Sequence, residues 1–162
     1  MRLAVISDTH LLSPSPWFKR IFDAHLMDAD ALIHCGDVTG KPMYDYLSAN
    51  HPFFYGVSGN MCDTLVGEDL PPMLRLQLAG RNVGVTHGWG EKSRLPATVF
   101  EAFGPGLDLL LFGHSHRQTK VHMGDTLLVN PGALSGEKPC MAFINMVTEN
   151  ITVEFRVFSP AT

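Results

Sequence analysis

The chain of 162 residues is 45% hydrophobic and 17% charged, and its formal net charge is −4 at pH 7. These values predict a single domain over residues 1–162 with a sizeable apolar core, and they exclude a disordered chain. The negative balance, and the lack of any apolar run near the roughly 18 residues of a membrane span, argue against a stable nucleic-acid complex and against a membrane protein.

The first half of the chain alternates strands with a helix. Residues 2–6 form a short apolar run that stops at the polar Ser7, which is typical of a buried strand. Ser15 before Pro16 predicts a capped helix start, followed by apolar residues at fourfold spacing. The runs "ALIHCGDV" and "PFFYGVSGN" repeat the strand pattern. This β-α-β alternation predicts a mainly parallel sheet whose loops at the carboxyl ends of the strands gather the chemistry.

The second half of the chain consists mostly of predicted hairpins. "MLRLQLAGRNVGVTHG" alternates apolar and polar residues across a turn, and a helix is expected at about 95–103 before a Gly-Pro-Gly stop. After "LDLLLFGHSH", two more hairpins turn at Gly124–Asp125 and near Thr148–Asn150. No linker separates the two halves. We therefore expect an α/β fold in which two mixed sheets pack face to face in a four-layer α/β/β/α sandwich, with helices outside.

Potential metal ligands follow the predicted strands, where each strand ends. They are Asp8, His10, Asp37, Asn60, His87, His114 and His116. Carboxylate, amide and imidazole ligands together suit borderline ions such as Mn, Fe, Ni or Zn, and they match a thiolate zinc site poorly. One carboxylate can bridge two such ions, which acidify a shared water to hydroxide and neutralise charge on phosphate oxygens. The pattern therefore indicates hydrolysis of a phosphate ester.

The ordered motifs "SDTH", "CGDV", "GN", "THG" and "GHSH" resemble those of the calcineurin-like metallophosphoesterases. The compactness of the chain is similar to that of the YfcE-type phosphodiesterase branch, which includes relatives of the retromer scaffold subunit. "NPGA" at 130–133 resembles the NPGS loop of that branch. The resemblance covers most of the chain, and the set of motifs is far more specific than any one of them.

The resemblance implies a binuclear metal site with divided roles. Asp8, His10 and His116 would hold one ion, and Asn60, His87 and His114 would hold the other. Asp37 would bridge the two ions, and Asp37, Asn60 and His87 would also be catalytic. We expect two divalent ions per chain, with Mn favoured over Ni, Zn or Fe, and a metal-bridging hydroxide that attacks a small phosphodiester in line.

Two residues depart from the family pattern. The residue after the asparagine is usually the proton donor or a phosphate contact, and here it is Met61, which cannot donate a proton. Either Cys62 or Asp63 takes that catalytic role, or water protonates the leaving group, or protonation is dispensed with. Esters with acidic aryl leaving groups would then be affected least. Trp89 stands where the branch often has a second histidine, which predicts altered substrate contacts.

Alternatives remain open at this stage. A scaffold that binds metal but turns over weakly or not at all would share the same fold, and a nuclease would require basic patches that the acidic balance disfavours. The other histidines are expected to be structural; they are His25, His34, His51 and His122. The three widely spaced cysteines argue against a disulfide framework and predict a cytoplasmic protein. Exposed aromatic residues near Trp17 or at 53–54 would support a homo-oligomer.

Overall fold

A computed structural model describes residues 1–147 and 150–160, so the turn expected near Thr148–Asn150 lies largely outside the described residues. The elements follow the chain in this order: β1 Arg2–Ile6, α1 Pro16–Ile21, β2 Ala31–His34, α2 Lys41–Asn50, β3 Phe54–Gly56, α3 Thr64–Asp69, β4 Met73–Leu78, β5 Arg81–Thr86, α4 Leu95–Phe103, β6 Leu109–Leu111, β7 Gln118–Met123, β8 Thr126–Pro131, β9 Cys140–Met146 and β10 Ile151–Val157.

The strands form two mixed five-stranded sheets. The first has the order β10-β9-β1-β2-β3, and the second has the order β4-β5-β6-β8-β7. In the first sheet, β1, β2 and β3 are parallel, and the antiparallel hairpin β9–β10 extends the sheet beside β1. In the second sheet, β5, β6 and β8 are parallel and the edge strands β4 and β7 are antiparallel. The parallel centre of each sheet brings the carboxyl ends of its strands to one edge.

The core consists of three apolar layers. Alternate residues of the buried strands, such as Leu3 and Val5 of β1, point between the two sheets, while Ala4 and Ile6 point toward α1 and α2. On the far side of the second sheet, Leu110 and its neighbours pack against α4. This arrangement confirms the predicted α/β/β/α sandwich, with a single helix as its thinner outer layer.

A side-chain cap and a proline mark the start of the first helix. The Ser15 hydroxyl accepts the Phe18 N–H at 3.1 Å, and Pro16 occupies the first turn, as predicted. The helix then continues as a π-helical turn at Phe22–Leu26. Helices α2 and α3 add to the helices expected from the sequence. Among the described residues, no helix is long and apolar enough to cross a membrane.

Candidate metal centre

The candidate ligands lie in loops at the carboxyl ends of β1, β2, β3, β5 and β6. Five of them have a left-handed backbone with φ between 50° and 64°; these are Asp8, His10, Asp37, His114 and His116. Such a conformation costs roughly 1 kcal/mol for a residue with a side chain, and aspartate and histidine are among the residues that adopt it most readily. The loops therefore accept local strain to turn these side chains toward one another.

Two glycines let these loops approach closely. A Cβ at Gly113 would clash with the Ser7 hydroxyl and would lie 2.7 Å from the Cys35 carbonyl oxygen. A Cβ at Gly59 would clash with the Asp37 carboxylate. Real Cβ atoms are not found at such distances, so only glycine permits the four loops to meet at this edge of the two sheets.

One cluster of ligand atoms is built from both sheets. It consists of Asp8, His10 and His116, whose ligand atoms lie within 4.8 Å of one another. The Asp8 Oδ1 atom is 3.1 Å from His116 Nε2 and 3.8 Å from His10 Nε2, and the two imidazole nitrogens are 3.4 Å apart. This is the set that the family resemblance assigns to the first ion.

A second cluster adjoins the first. Asp8, Asp37 and His87 form another group within 4.8 Å, and His87 Nε2 lies 3.4 Å from Asp37 Oδ2. Asn60 Oδ1 lies 3.1 Å from His87 Nε2 and 3.2 Å from His114 Nδ1. Asp37 Oδ2 is also 3.9 Å from His10 Nε2, so this carboxylate reaches both clusters. The structure thus brings together all seven side chains that the sequence selected.

The hydrogen bonds of His87 fix its orientation. Its Nδ1 lies 2.8 Å from the Cys35 carbonyl oxygen, which can only accept, so Nδ1 carries the proton. In the neutral ring, Nε2 then presents a lone pair to Asn60 Oδ1 and Asp37 Oδ2. Three acceptors cannot face one another without a cation or a proton between them. The arrangement is therefore suited to a bound cation.

Buried charge shifts the pKa values of this pair in opposite directions. Burial alone would lower the pKa of His87, but the hydrogen bond to Asp37 and the charge of Asp8 raise it overall. Burial alone would raise the pKa of Asp37, but His87 and the Met61 N–H lower it overall. The surroundings of His87 thus favour a positive charge beside its Nε2, and a bound metal ion would compete with a proton for this position.

The hydrogen bonds of the buried Asp8 carboxylate indicate whether the site is suited to a metal ion. Asp8 Oδ2 accepts hydrogen bonds from the Ser7 hydroxyl at 2.5 Å and the His114 N–H at 3.2 Å. No hydrogen bond from the described residues reaches Asp8 Oδ1, although the atom is buried and lies beside three imidazole nitrogens. A buried carboxylate oxygen without a donor is costly unless a cation binds it. The residues present therefore fit a divalent metal.

The loop after Asn60 has a different character. Met61 is 54% exposed, and its backbone N–H donates to Asp37 Oδ1 at 2.8 Å. The Cys62 sulfur accepts the Gly59 N–H at 3.2 Å, and burial raises the pKa of this thiol. The Asp63 carboxylate caps two helices, since it accepts the Val66 N–H of α3 and the Lys41 N–H of α2. The proton-donor role of Cys62 or Asp63 stays a prediction.

Residues that were not predicted as metal ligands support the site. Ser7 binds Asp8, and the Ser135 hydroxyl donates to the Asp8 carbonyl oxygen at 2.7 Å. Asn130 of the "NPGA" loop donates to the Gly113 carbonyl oxygen at 2.6 Å and so holds the "GHSH" loop. His34 lies under the site, where burial lowers its pKa to about 3 and its Nε2 contacts the Thr9 hydroxyl at 3.2 Å. In the sequence, the signs of these roles are that Ser7 and Asn130 belong to the quoted motifs and that His34 directly precedes one.

The sequence is similar to known metallophosphoesterases. The model of the calcineurin-like phosphoesterase superfamily domain matches residues 1–149. A probable metallophosphoesterase of Methanocaldococcus jannaschii is 36% identical over 139 residues, which are 82% of this chain and 68% of that protein. The probable metallophosphoesterase YsnB of Bacillus subtilis is 32% identical over 138 residues, which are 83% of this chain and 75% of that protein.

Solved structures share the fold. A predicted phosphoesterase from Streptococcus pneumoniae superposes with a TM-score of 0.77 at 23% identity, covering 96% of this chain and 88% of that one. Vps29 of Chaetomium thermophilum gives 0.73 at 21% identity, with coverage of 99% and 100%. An archaeal phosphodiesterase gives 0.73 at 18% identity, with coverage of 98% and 100%. At these identities the likeness concerns the fold alone.

Proposed function

The chain belongs to the calcineurin-like phosphoesterase superfamily, and from this membership and the geometry of its site we propose that it is a binuclear metal-dependent phosphodiesterase. The observation that carries the proposal is the pair of adjoining ligand clusters that share the buried Asp8 carboxylate, whose Oδ1 has no donor among the described residues. Two clusters of mixed oxygen and nitrogen ligands suit two divalent ions better than one.

The residues divide between two ions as follows. Asp8, His10 and His116 would hold the first ion, and Asn60, His87 and His114 would hold the second. The family pattern assigns the bridging role to Asp37, and the geometry is compatible with it, since Asp37 Oδ2 lies 3.9 Å from His10 Nε2 and 3.4 Å from His87 Nε2, one ligand of each ion. We favour Mn, with Ni, Zn or Fe as alternatives, since carboxylate, amide and imidazole ligands suit these borderline ions.

The protein prepares the site for two cations and for an anionic substrate. When bound, two divalent ions acidify a water nucleophile and neutralise the charge that develops on the phosphate oxygens. The Cys35 carbonyl keeps the His87 Nδ1 protonated, so that Nε2 faces the site. Ser7 and the His114 N–H hold Asp8 Oδ2 and thereby aim Oδ1 at the first cluster. The ligands are thus positioned before any ion arrives.

Protonation of the leaving group is the weakest part of the chemistry. Met61 has no proton to give, and the Asp63 carboxylate is occupied by two helix caps. The raised pKa of Cys62 keeps its thiol protonated at neutral pH, but such a weak acid donates poorly. We therefore propose that the protein acts best on phosphodiesters with acidic leaving groups, which depart without a proton.

Restoring metal to stripped protein tests the proposal directly. The protein is purified, stripped with a chelator and dialysed, and hydrolysis of bis(4-nitrophenyl) phosphate is followed as Mn, Ni, Zn or Mg is added, with the bound metal counted in parallel. Turnover that rises to a maximum at about two ions per chain is expected.

Three results would contradict the proposal. A maximum at one ion per chain would exclude the binuclear mechanism and leave a mononuclear esterase. Tight binding of two ions without turnover of either bis(4-nitrophenyl) phosphate or 4-nitrophenyl phosphate would instead favour the scaffold alternative. A clear preference for 4-nitrophenyl phosphate would identify a phosphatase, because the second ester arm would then hinder the reaction.

A further inference from the structure

We propose that two apolar grooves beside the metal ligands bind the two ester arms of the substrate, and that the arm beside Trp89 is a flat aromatic group. The inference rests on the proposed phosphodiesterase function and deepens it, since it specifies what the phosphate is esterified with. The substrate class is therefore a phosphodiester with two uncharged arms, at least one of them aromatic.

The first groove, called the Trp89 groove, lies beside the second cluster. It has a volume of about 230 Å³, and Asn60 and His87 line it together with Pro72, Met73 and Trp89. The indole of Trp89 is 47% exposed, which is unusual for so large an apolar group at a polar site. Aromatic rings stack on flat partners, and methionine adapts to them. This groove is thus suited to a planar ring attached to a phosphate that the second cluster binds.

The second groove, called the Trp17 groove, lies beside the first cluster. It has a volume of about 170 Å³, and its lining combines His10 with Leu11, Trp17, Leu134 and Pro139. The Trp17 indole N–H donates to the Ser159 carbonyl oxygen at 3.0 Å, so this wall is fixed before a ligand binds. The lining presents mostly apolar groups, and it begins at a metal ligand. The groove therefore accommodates an apolar arm of the same phosphate ester.

The charge of both grooves limits what their occupants can be. Among the described residues, no lysine or arginine lines either groove. An arm that carried further phosphates, such as a nucleoside polyphosphate or a long nucleic acid, would require cationic partners there. Uncharged arms require none. Two bound divalent metal ions would supply the positive charge that a single phosphodiester anion needs.

The separation of the grooves favours a diester over a monoester. The two grooves share no lining residue, and each contains a ligand of a different cluster, His10 in one and His87 in the other. A phosphate between the clusters would thus have one groove on each side. A monoester would fill one groove and leave the other to water, which gains nothing from apolar walls. Both grooves are used only when phosphorus carries two organic arms.

Matched ligands test the assignment. Diphenyl phosphate and dimethyl phosphate carry the same anion and differ only in their arms, so their dissociation constants for the manganese-loaded protein isolate the contribution of the grooves. Binding is measured by tryptophan fluorescence and by inhibition of bis(4-nitrophenyl) phosphate hydrolysis. We expect diphenyl phosphate to bind more tightly and Trp89→Ala to weaken it about ten-fold, as loss of one aromatic stacking partner does. Dimethyl phosphate should bind both proteins equally.

Further variants separate the grooves. Trp89→Phe keeps a ring and should bind diphenyl phosphate almost as tightly as the natural chain. Leu11→Ala should weaken diphenyl phosphate a few-fold through the other groove. Phenyl phosphate has one arm, so only one of Trp89→Ala and Leu11→Ala should weaken its binding. Phe53→Ala removes a more exposed ring just before β3 and serves as the control, which should change the binding of neither ligand.

The outcomes distinguish the grooves from the proposed function. If the protein hydrolyses the diester but Trp89→Ala weakens diphenyl and dimethyl phosphate equally, or not at all, the Trp89 groove does not bind an arm and the phosphodiesterase stands. If phenyl phosphate responds to both variants as diphenyl phosphate does, the two-arm assignment is wrong. If the metal-loaded protein neither binds nor hydrolyses any of these esters, the phosphodiesterase proposal fails, and the groove assignment fails with it.

Discussion

The loops after β1 and β6 and the loop after β3 lie at the same edge of the sandwich, yet they are built differently. In the former, Asp8 and His114 take left-handed backbone conformations, and Ser7, Ser135 and Asn130 hold the loops in place. In the loop after β3, the Asn60 side chain faces His87 and His114, and the Met61 backbone N–H donates to Asp37. The Met61 side chain is exposed. The Asp63 carboxylate accepts backbone N–H groups at the starts of α2 and α3.

This difference indicates that separate loops of this molecule determine metal binding and protonation of the leaving group. Strain and buried hydrogen bonds are concentrated where ions would bind, because ligands must be held rigidly before the ions arrive. Within the part of the chain that the structure describes, no comparable arrangement supports a proton donor beyond Asn60. Variants in the two regions are therefore expected to differ in kind, with loss of metal in one and altered substrate preference in the other.

The largest expected effect follows removal of the proposed bridging carboxylate, Asp37. Asp37→Ala should reduce the bound metal below two ions per chain and lower kcat/KM for bis(4-nitrophenyl) phosphate by at least about a thousand-fold, since metal charge stabilises the transition state by several kcal/mol. Metal content and kinetics measured on the same sample provide the check.

Asp37→Asn serves as the matched variant for this experiment. Its amide oxygen can still accept the Met61 N–H, so the loop after β3 keeps its place while the negative charge is lost. It should behave as Asp37→Ala does in metal content and activity. Undiminished activity in Asp37→Asn would refute the role of Asp37 as a bridging ligand.

Gly113→Ala is expected to have the next largest effect, through packing. Its methyl group would overlap the Ser7 hydroxyl and approach the Asp8 carboxylate, so the free energy of unfolding should fall by about 3 kcal/mol, with weaker metal binding. Urea unfolding measures the first effect and metal titration the second.

The control is Gly67→Ala, where a Cβ meets nothing within 4 Å, and helix propensity should stabilise α3 by roughly 0.5–1 kcal/mol. Equal stability of the two variants would contradict the close packing of the loops.

Met61→His is expected to add the proton donor that the loop after β3 lacks. An imidazole at this exposed position is expected to supply a proton and raise kcat/KM about ten-fold for diesters of weakly acidic phenols, while bis(4-nitrophenyl) phosphate changes little. The measurement is the dependence of log kcat/KM on the pKa of the leaving phenol, which should be steep for the natural chain and flatter for the variant. Equal slopes would show that the natural site already donates a proton.

The same two regions show how far the sequence predicts the structure. Strand β1 and helix α4 match the sequence prediction, because an apolar run ending in polar residues and a Gly-Pro-Gly stop are local features. The seven side chains were selected because they follow strands whose carboxyl ends must meet at one edge. The fold therefore brings them together for reasons that the sequence already contains.

What the sequence could not predict depends on contacts between distant segments. Ser135 reaches the Asp8 carbonyl across 127 positions, and the Cys35 carbonyl orients His87 across 52. Helices α2 and α3 escaped prediction because their apolar residues are few, and tertiary contacts and caps stabilise them. The Asp63 carboxylate illustrates the limit, since the sequence suggested it as a proton donor, whereas the structure shows it as a cap of two helices.

Asp63→Ala is the smallest expected effect, and it decides between those two roles. As a double cap, Asp63 accepts the N–H groups of Val66 and Lys41, so its loss should lower the free energy of unfolding by about 1–2 kcal/mol. Hydrolysis of aryl diesters should be nearly unchanged at a temperature where the variant is folded. Asp63→Asn retains an acceptor for capping but no acidic proton, so it should restore most of the stability. If Asp63 is instead the proton donor, Asp63→Asn should be as stable as expected but should hydrolyse diesters with weakly acidic leaving groups more slowly than the natural chain. The same comparison with Cys62→Ala tests the neighbouring thiol, whose loss should cost far less activity than loss of Asp37.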